Sequence, residues 1–205
     1  MEHLGPYIIS LFIGIGLATA TGFGVFLPLF FVSLASYFNW IPLQDNWQWV
    51  RSLHALIVLG IAMVFEILSY YIPFVDNIMD SIAIPLSAIA GTLLFSSQFA
   101  ESNDIIKWGL SIIAGGGTAA TVSTALSGIR LASSASTAGI GNPLVSTVEN
   151  TGATLMSVLA IFVPIIAIIM VMVLIYWLFR FGKRIRQKYS PAVSVYPTNY
   201  PAYFL

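Results

Sequence analysis

The sequence predicts an all-α, polytopic membrane protein of about five transmembrane helices. Three observations predict it. Hydrophobic residues make up 58% of the chain and charged residues only 8%, where soluble domains carry about a quarter charged residues. So few charges cannot cover a water-facing surface, so most of the surface must face lipid. The mean hydropathy is +0.91. The apolar residues also fall into five runs, each close to or above the ~20 residues a helix needs to cross the hydrocarbon core, separated by short polar segments. The net charge of zero argues against a polyanionic partner such as nucleic acid. The absence of cysteine excludes disulfides, zinc-thiolate sites and thiol catalysis. MEHLGP has no basic region ahead of its apolar run, so it reads as a retained membrane segment.

The first span, A, covers about Tyr7 to Phe38, and no charge appears between His3 and Asp45. Its middle, ATATGFGVFLPLF, clusters Gly22, Gly24 and Pro28 behind Thr19 and Thr21. Glycine exposes backbone and proline removes a donor, so a kink is expected, or a break into a helix and a re-entrant half. Two uses are open for these residues: close packing between helices, or a break that lines a cavity. NWIPLQDNWQWVRS (39–52) is a polar connection whose Trp40, Trp47 and Trp49 fit an interfacial aromatic belt. Span B runs from about Leu53 to Tyr71, with His54 at its start, Glu66 inside it, and Tyr70 and Tyr71 marking the far interface.

IPFVDNIMDS (72–81) reads as a short turn, and span C follows over about Ile82 to Phe99 with Pro85 in its first turn. Ser102, Asn103 and Asp104 form a helix start ahead of span D, about Ile105 to Ala132. Span D contains Gly115, Gly116 and Gly117, each of which weakens a soluble helix by about 1 kcal/mol but permits close approach in lipid. SSASTAGIGNPLVSTVENT (133–151) is a small, polar connection, and span E runs from about Gly152 to Phe179 with Pro164 inside it. A transmembrane domain over 1–182 is therefore followed by a tail over 183–205, basic and then proline- and tyrosine-rich and extended.

Five of the eight basic residues follow span E: Arg180, Lys183, Arg184, Arg186 and Lys188. Lysine and arginine accumulate on the cytoplasmic side, so the C-terminus is expected there. Five crossings then put the N-terminus outside, Arg51 and Lys107 inside, and Arg130 opposite them. If span A makes two passes, the N-terminus moves inside. In the five-span arrangement 72–81 and 133–151 share the non-cytoplasmic side, and IPFVDNIMDS resembles NPLVSTVENT. Transporters are often duplicated in this way; biased composition is the other explanation.

The polar candidates are few. Glu66 falls within the hydrocarbon, where a charged side chain is costly unless paired or hydrated. It marks either a proton or ion site, or a hydrogen-bonded carboxyl that locks helices together. Asp76 and Asp80, four apart and on one helical face, serve either as a solvated turn or as cation attraction at a cavity mouth. Arg130 needs a carboxylate or water, and Glu149 or Asp80 is its expected partner. His54 is interfacial. No nucleophilic triad, no phosphate-binding glycine loop with its lysine and no histidine pair at metal-ligand spacing is present, so neither an enzyme nor a bound cofactor or metal is expected.

GFGVFLPLF (22–30), EILSYYIPFVDNIMD (66–80) with PLSAIAG (85–91), and IRLAS with NPLVSTVEN (142–150) resemble an uncharacterised membrane family, domain of unknown function 4126. The resemblance covers nearly the whole chain before the basic tail. This sequence departs from the family pattern in three places. Gly24 stands where an arginine is common, Ile84 replaces an arginine before Pro85, and Asn150 follows Glu149 where an aspartate is common. Each departure removes a charge. The resemblance implies a bacterial inner-membrane or thylakoid-type protein and carries no activity with it.

Two functions follow from these readings. One is a small transporter or channel for a solute or ion, homo-oligomeric, with a cavity lined by the broken middles of spans A and D and a polar site at Glu66, Asp76, Asp80, Arg130 and Glu149. The other is a structural or assembly subunit of a larger membrane complex. The lipid bilayer is the partner in both.

Overall fold

The uncharged stretch of span A folds as a helical hairpin. In the computed structural model, which describes residues 4–99 and 103–189, α1 covers Leu4–Phe23 and α2 covers Phe26–Tyr37. Along α1, Gly14 lies against the Phe95 ring, Gly16 against Ala160, Gly22 against Val122, and Phe23 against Gly152. Past the break the contacts run back the other way. Phe30 meets Gly60, the Ser33 hydroxyl donates to the Val50 carbonyl at 2.7 Å, Trp40 packs on Phe162 and the Gln44 N–H donates to the Ser97 carbonyl. Both limbs therefore end at the same end of the bundle. There Leu17, Val32, Ala35, Ile41, Leu94 and Ala160 share one core. The tip, Gly24 and Val25, lies inside the bundle, directly after Gly22, which packs on Ala119 and Val122 near the midpoint of the long helix Asp104–Thr137.

Between Leu53 and Phe162 the chain runs back and forth along the bundle. A 3-10 turn, Asp45–Arg51, leads through the cap Ser52, whose side chain accepts from the Ala55 N–H, into α3, Leu53–Ser69. The turn and α3 are bent by 68°. Next come α4, Pro73–Gln98, then α5, Asp104–Leu110, capped by Asn103. A π-helical segment, Ser111–Gly116, joins α5 to α6, Gly117–Thr137. Finally come α7, Asn142–Phe162, and α8, Pro164–Tyr189. Three of these helices are long and apolar enough to cross a membrane, or four if the bent 3-10 turn and α3 are one span. One compact unit ends at Met172, and the second begins within α8 at Val173. In that second unit the Arg180 guanidinium donates to the Tyr176 hydroxyl at 2.9 Å. α8 runs without interruption through residue 183, where the tail was expected to begin.

Several expected connections are helical. IPFVDNIMDS forms the first turns of α4, because Pro73 suits a helix start and the turn is confined to 70–72. Pro85 consequently sits inside α4 and not in its first turn. Residues 133–151 are mostly helical as well. α6 ends at Ala138 and Gly139, both at positive φ, and α7 starts at Asn142. Span E, expected as one helix from Gly152, divides at Val163 between α7 and α8, where Pro164 starts the new helix. Ser102, the side chains of Asp76 and Asp80, and the Pro/Tyr-rich segment from 190 onward lie outside the described residues.

Glycine also lets the π segment approach α4. A Cβ at Gly115 would lie 2.6 Å from the Gly91 carbonyl oxygen, and one at Gly91 would lie 2.6 Å from the Ala119 Cβ. The π segment therefore brings its backbone against that of α4, as small residues do between membrane helices. Gly116 is similarly tight against Thr92, but a Cβ at Gly117 would meet nothing.

The hairpin changes the expected sidedness. Expected to lie opposite Arg51, the start of α1 instead shares its end of the bundle, because the tip turns the chain back. In the cysteine-free chain, Gly5→Cys and Asn46→Cys should react with a membrane-impermeant thiol reagent from one side, and Ile140→Cys from the other. Labelling of Gly5→Cys together with Ile140→Cys would contradict the hairpin.

Candidate functional site

The hairpin tip is held by one side chain from another helix. The first four N–H groups of any helix lack intrahelical partners. For α2 these are Val25, Phe26, Leu27 and residue 28, and residue 28 is proline, which has no N–H. The other three all donate to Glu66 on α3. Val25 N–H reaches Oε1 at 2.6 Å, while Phe26 and Leu27 N–H reach Oε2 at 2.9 and 3.3 Å. Glu66 and Pro28 together account for every orphan donor at this terminus, as buried backbone requires. The α2 dipole adds partial positive charge facing the carboxylate. Glu66 is buried, and its cost of burial is offset by these bonds. A Cβ at Gly24 would sit 3.6 Å from Glu66 Oε2, an ordinary contact. The position where the resembling family commonly has arginine therefore lies beside this carboxylate.

A cleft of about 380 Å³ adjoins the tip. Phe23 and Phe26 from the hairpin, Phe65 from α3 and Tyr70 at its C-cap, and Met79, Ile82 and Leu86 from α4 form its apolar walls. Thr21, Ser69, Ser87 and Ser123 supply hydroxyls, and Glu66 is the only charged side chain among the described lining residues. Thr21, Ser69 and Ser87 each donate to a carbonyl of their own helix.

One helical turn beyond Glu66, the Tyr70 ring lies under the Arg130 guanidinium, 4.2 Å from ring centroid to Cζ. Arg130 pairs with Glu149, its Nε donating to Oε1 and Oε2 at 3.1 and 2.9 Å and its Nη2 to Oε2. Both are buried, at 4% and 2% exposure. Of the two partners expected for Arg130, Glu149 makes this contact. A chamber of about 20 Å³ lies beside the pair and shares Gly22, Phe23, Tyr70, Ala83 and Ser123 with the larger cleft. That is room for one water.

Glu66, Arg130 and Glu149 therefore lie along one wall-sharing system of cavities. Asp76 and Asp80 belong to the backbone of the first turns of α4. Gly22, Gly24 and Pro28 belong to the hairpin tip. Gly115 and Gly116 belong to the α4 crossing, where they line neither cavity. Tyr70 was expected at the interface but is buried between Glu66 and Arg130; its spacing of four from Glu66 was the available signal. Among the described residues no group of histidines and carboxylates could hold a metal.

The family model described as "Domain of unknown function (DUF4126)" matches residues 11–184. No curated protein matches the chain, and no solved structure does.

Proposed function

The chain belongs to the DUF4126 family, a domain of unknown function, and from that premise we propose that this helical membrane protein is a small-solute carrier or channel. Its solute site is the cleft under the hairpin tip. The observation that carries this reading is the meeting of three features in the interior of the bundle. These are a helix broken in mid-bundle, a buried carboxylate holding the break, and a cavity of small-molecule size beside both. Broken helices are tolerated at membrane depth where they line a cavity, and transporter sites recur at half-helix N-termini. Solute entering the cleft meets the segment that Glu66 secures, so occupancy and hairpin position are linked.

The competing reading is an assembly subunit that packs on partners through small-residue faces. It is weaker because the small-residue face of Gly91, Gly115 and Ala119 is occupied within the chain. We take the protein to act as a homo-oligomer in a bacterial inner or thylakoid-type membrane. We assign the basic C-terminus to the cytoplasm on the lysine and arginine rule. The chemistry supports movement of a solute and not its conversion, since no nucleophile and base are paired among the described residues that line the cleft.

The test uses the absence of native cysteine. Ala83→Cys, in the cleft, should react with a small water-borne thiol reagent in proteoliposomes, and Ala62→Phe, which fills the cleft, should block that reaction. Glu66→Gln should keep the native oligomer mass and abolish uptake or current across a panel of proton, Na⁺, K⁺ and small organic-ion gradients. Reactivity at 83 no greater than at Leu94→Cys in the packed core would sink the reading, as would full flux in Ala62→Phe.

A further inference from the structure

We infer that the solute of this cleft is a small organic cation with an apolar body, of the quaternary-ammonium or hydrophobic-amine class. The inference rests on the carrier reading and adds the ligand's charge and shape. Four aromatic rings, Phe23, Phe26, Phe65 and Tyr70, line a cavity of about 380 Å³ whose only charged side chain among the described residues is Glu66. Aromatic faces attract cations, most strongly when desolvated, and aromatic cages are a recurrent way of holding alkylated ammonium groups.

The carboxylate retains capacity for such a ligand. An ionised carboxylate offers roughly four acceptor positions. The three backbone N–H groups occupy three, two of them on Oε2 and one on Oε1. The α2 dipole amounts to about half an elementary charge, so Glu66 is only partly compensated and the cleft keeps a negative character. Arg130, whose charge also acts on Glu66, is held by Glu149 and by the face of Tyr70, so it offsets that charge only in part. A strongly hydrated inorganic cation suits the site poorly, because most of the wall is apolar and cannot replace a hydration shell. An alkylated ammonium carries its charge with little hydration and fills the same wall by contact.

The test is equilibrium dialysis of radiolabelled benzyltrimethylammonium against the full chain in phosphatidylcholine nanodiscs. The neutral carbon isostere neopentylbenzene serves as competitor. Saturable binding is expected that the isostere does not displace. Glu66→Gln and Phe26→Leu should each weaken it by roughly tenfold or more, and Ala62→Phe should abolish it. Phe26→Leu keeps the Glu66 cap, so it reports on the cage even if Glu66→Gln loosens the hairpin. Equal competition by neopentylbenzene, or unchanged affinity in Phe26→Leu, overturns the cation assignment. If Ala62→Phe still blocks thiol labelling in that case, the carrier reading stands with a neutral solute. A phospholipid that occupies the cleft and is not displaced by the cation overturns the inference in favour of a lipid site. Absence of binding together with indifference to Ala62→Phe removes both.

Discussion

Replacing Glu149 by alanine should destabilise the protein severely. It leaves the Arg130 guanidinium, 4% exposed, without its carboxylate. Removing one partner of a buried ion pair costs about 3–5 kcal/mol, because the remaining charge stays buried and uncompensated. For a chain of this size that corresponds to a fall in melting temperature of roughly 10 °C. The Tyr70 ring cannot take over, since a desolvated cation–π contact is worth about 2 kcal/mol or somewhat more, and that contact is already made in the wild type. The same argument predicts the behaviour of the double variant Arg130→Met with Glu149→Leu. Replacing both partners of a buried pair by apolar groups is often neutral or stabilising, so the double variant should recover most of the lost stability. A thermal melt of the purified protein reads both. If the double variant melts as low as Glu149→Ala, the pair holds α6 to α7 by more than charge compensation, and this account of it is wrong.

How much of this was legible in the sequence depends on which physical quantity each feature expresses. Hydropathy reports burial in lipid, so the all-helical membrane class and most helix positions were readable from composition and run length. Hydropathy carries no direction. An uncharged stretch from Tyr7 to Phe38 is equally apolar as one long span or as a hairpin. What makes it a hairpin is the need of three N–H groups at 25–27 for an acceptor, and that acceptor is supplied about forty residues away by Glu66. Glu66 and Gly24 were each visible as unusual residues, but their contact was not.

Polarity misled in the opposite sense at 133–151. The serines and threonines there read as a loop, yet their hydroxyls donate to carbonyls four residues back. Ser136 bonds Ala132, Thr137 bonds Ser133, Ser146 bonds Asn142 and Thr147 bonds Pro143. A hydroxyl satisfied by its own helix is no barrier to a membrane span, which is why α6 and α7 extend through a segment that composition alone marks as a connection. The Arg130 and Glu149 pair was anticipated because a lone buried cation must find a carboxylate. Tyr70 was not, because an aromatic residue beside a second tyrosine looks like an interfacial anchor.

Replacing Glu66 by alanine should open the hairpin locally while leaving the rest of the bundle in place. The variant removes the acceptor of three backbone N–H groups at once. Each buried donor left unmet costs about 1–3 kcal/mol. Their adjacency lets the tip relax toward water in the cleft, so a total of about 3–5 kcal/mol is expected, not the full sum. Glutamine should fall between. Its carbonyl can keep the Phe26 and Leu27 bonds, but its amide group then faces the Val25 N–H, donor against donor. Aspartate, one methylene shorter, withdraws both oxygens from the tip. The expected order of amide exchange at residues 25–27 is therefore wild type slowest, then Gln, then Asp and Ala. Residues 126–130 and 149–156 should keep their protection in all of them, because α6 and α7 also pack on α1, which the substitution leaves in place. Hydrogen exchange resolved to peptides covering the tip distinguishes this from general unfolding. Unchanged exchange at 25–27 in Glu66→Ala would show that the break is stable without its carboxylate, and that Glu66 is buried there for the cleft alone.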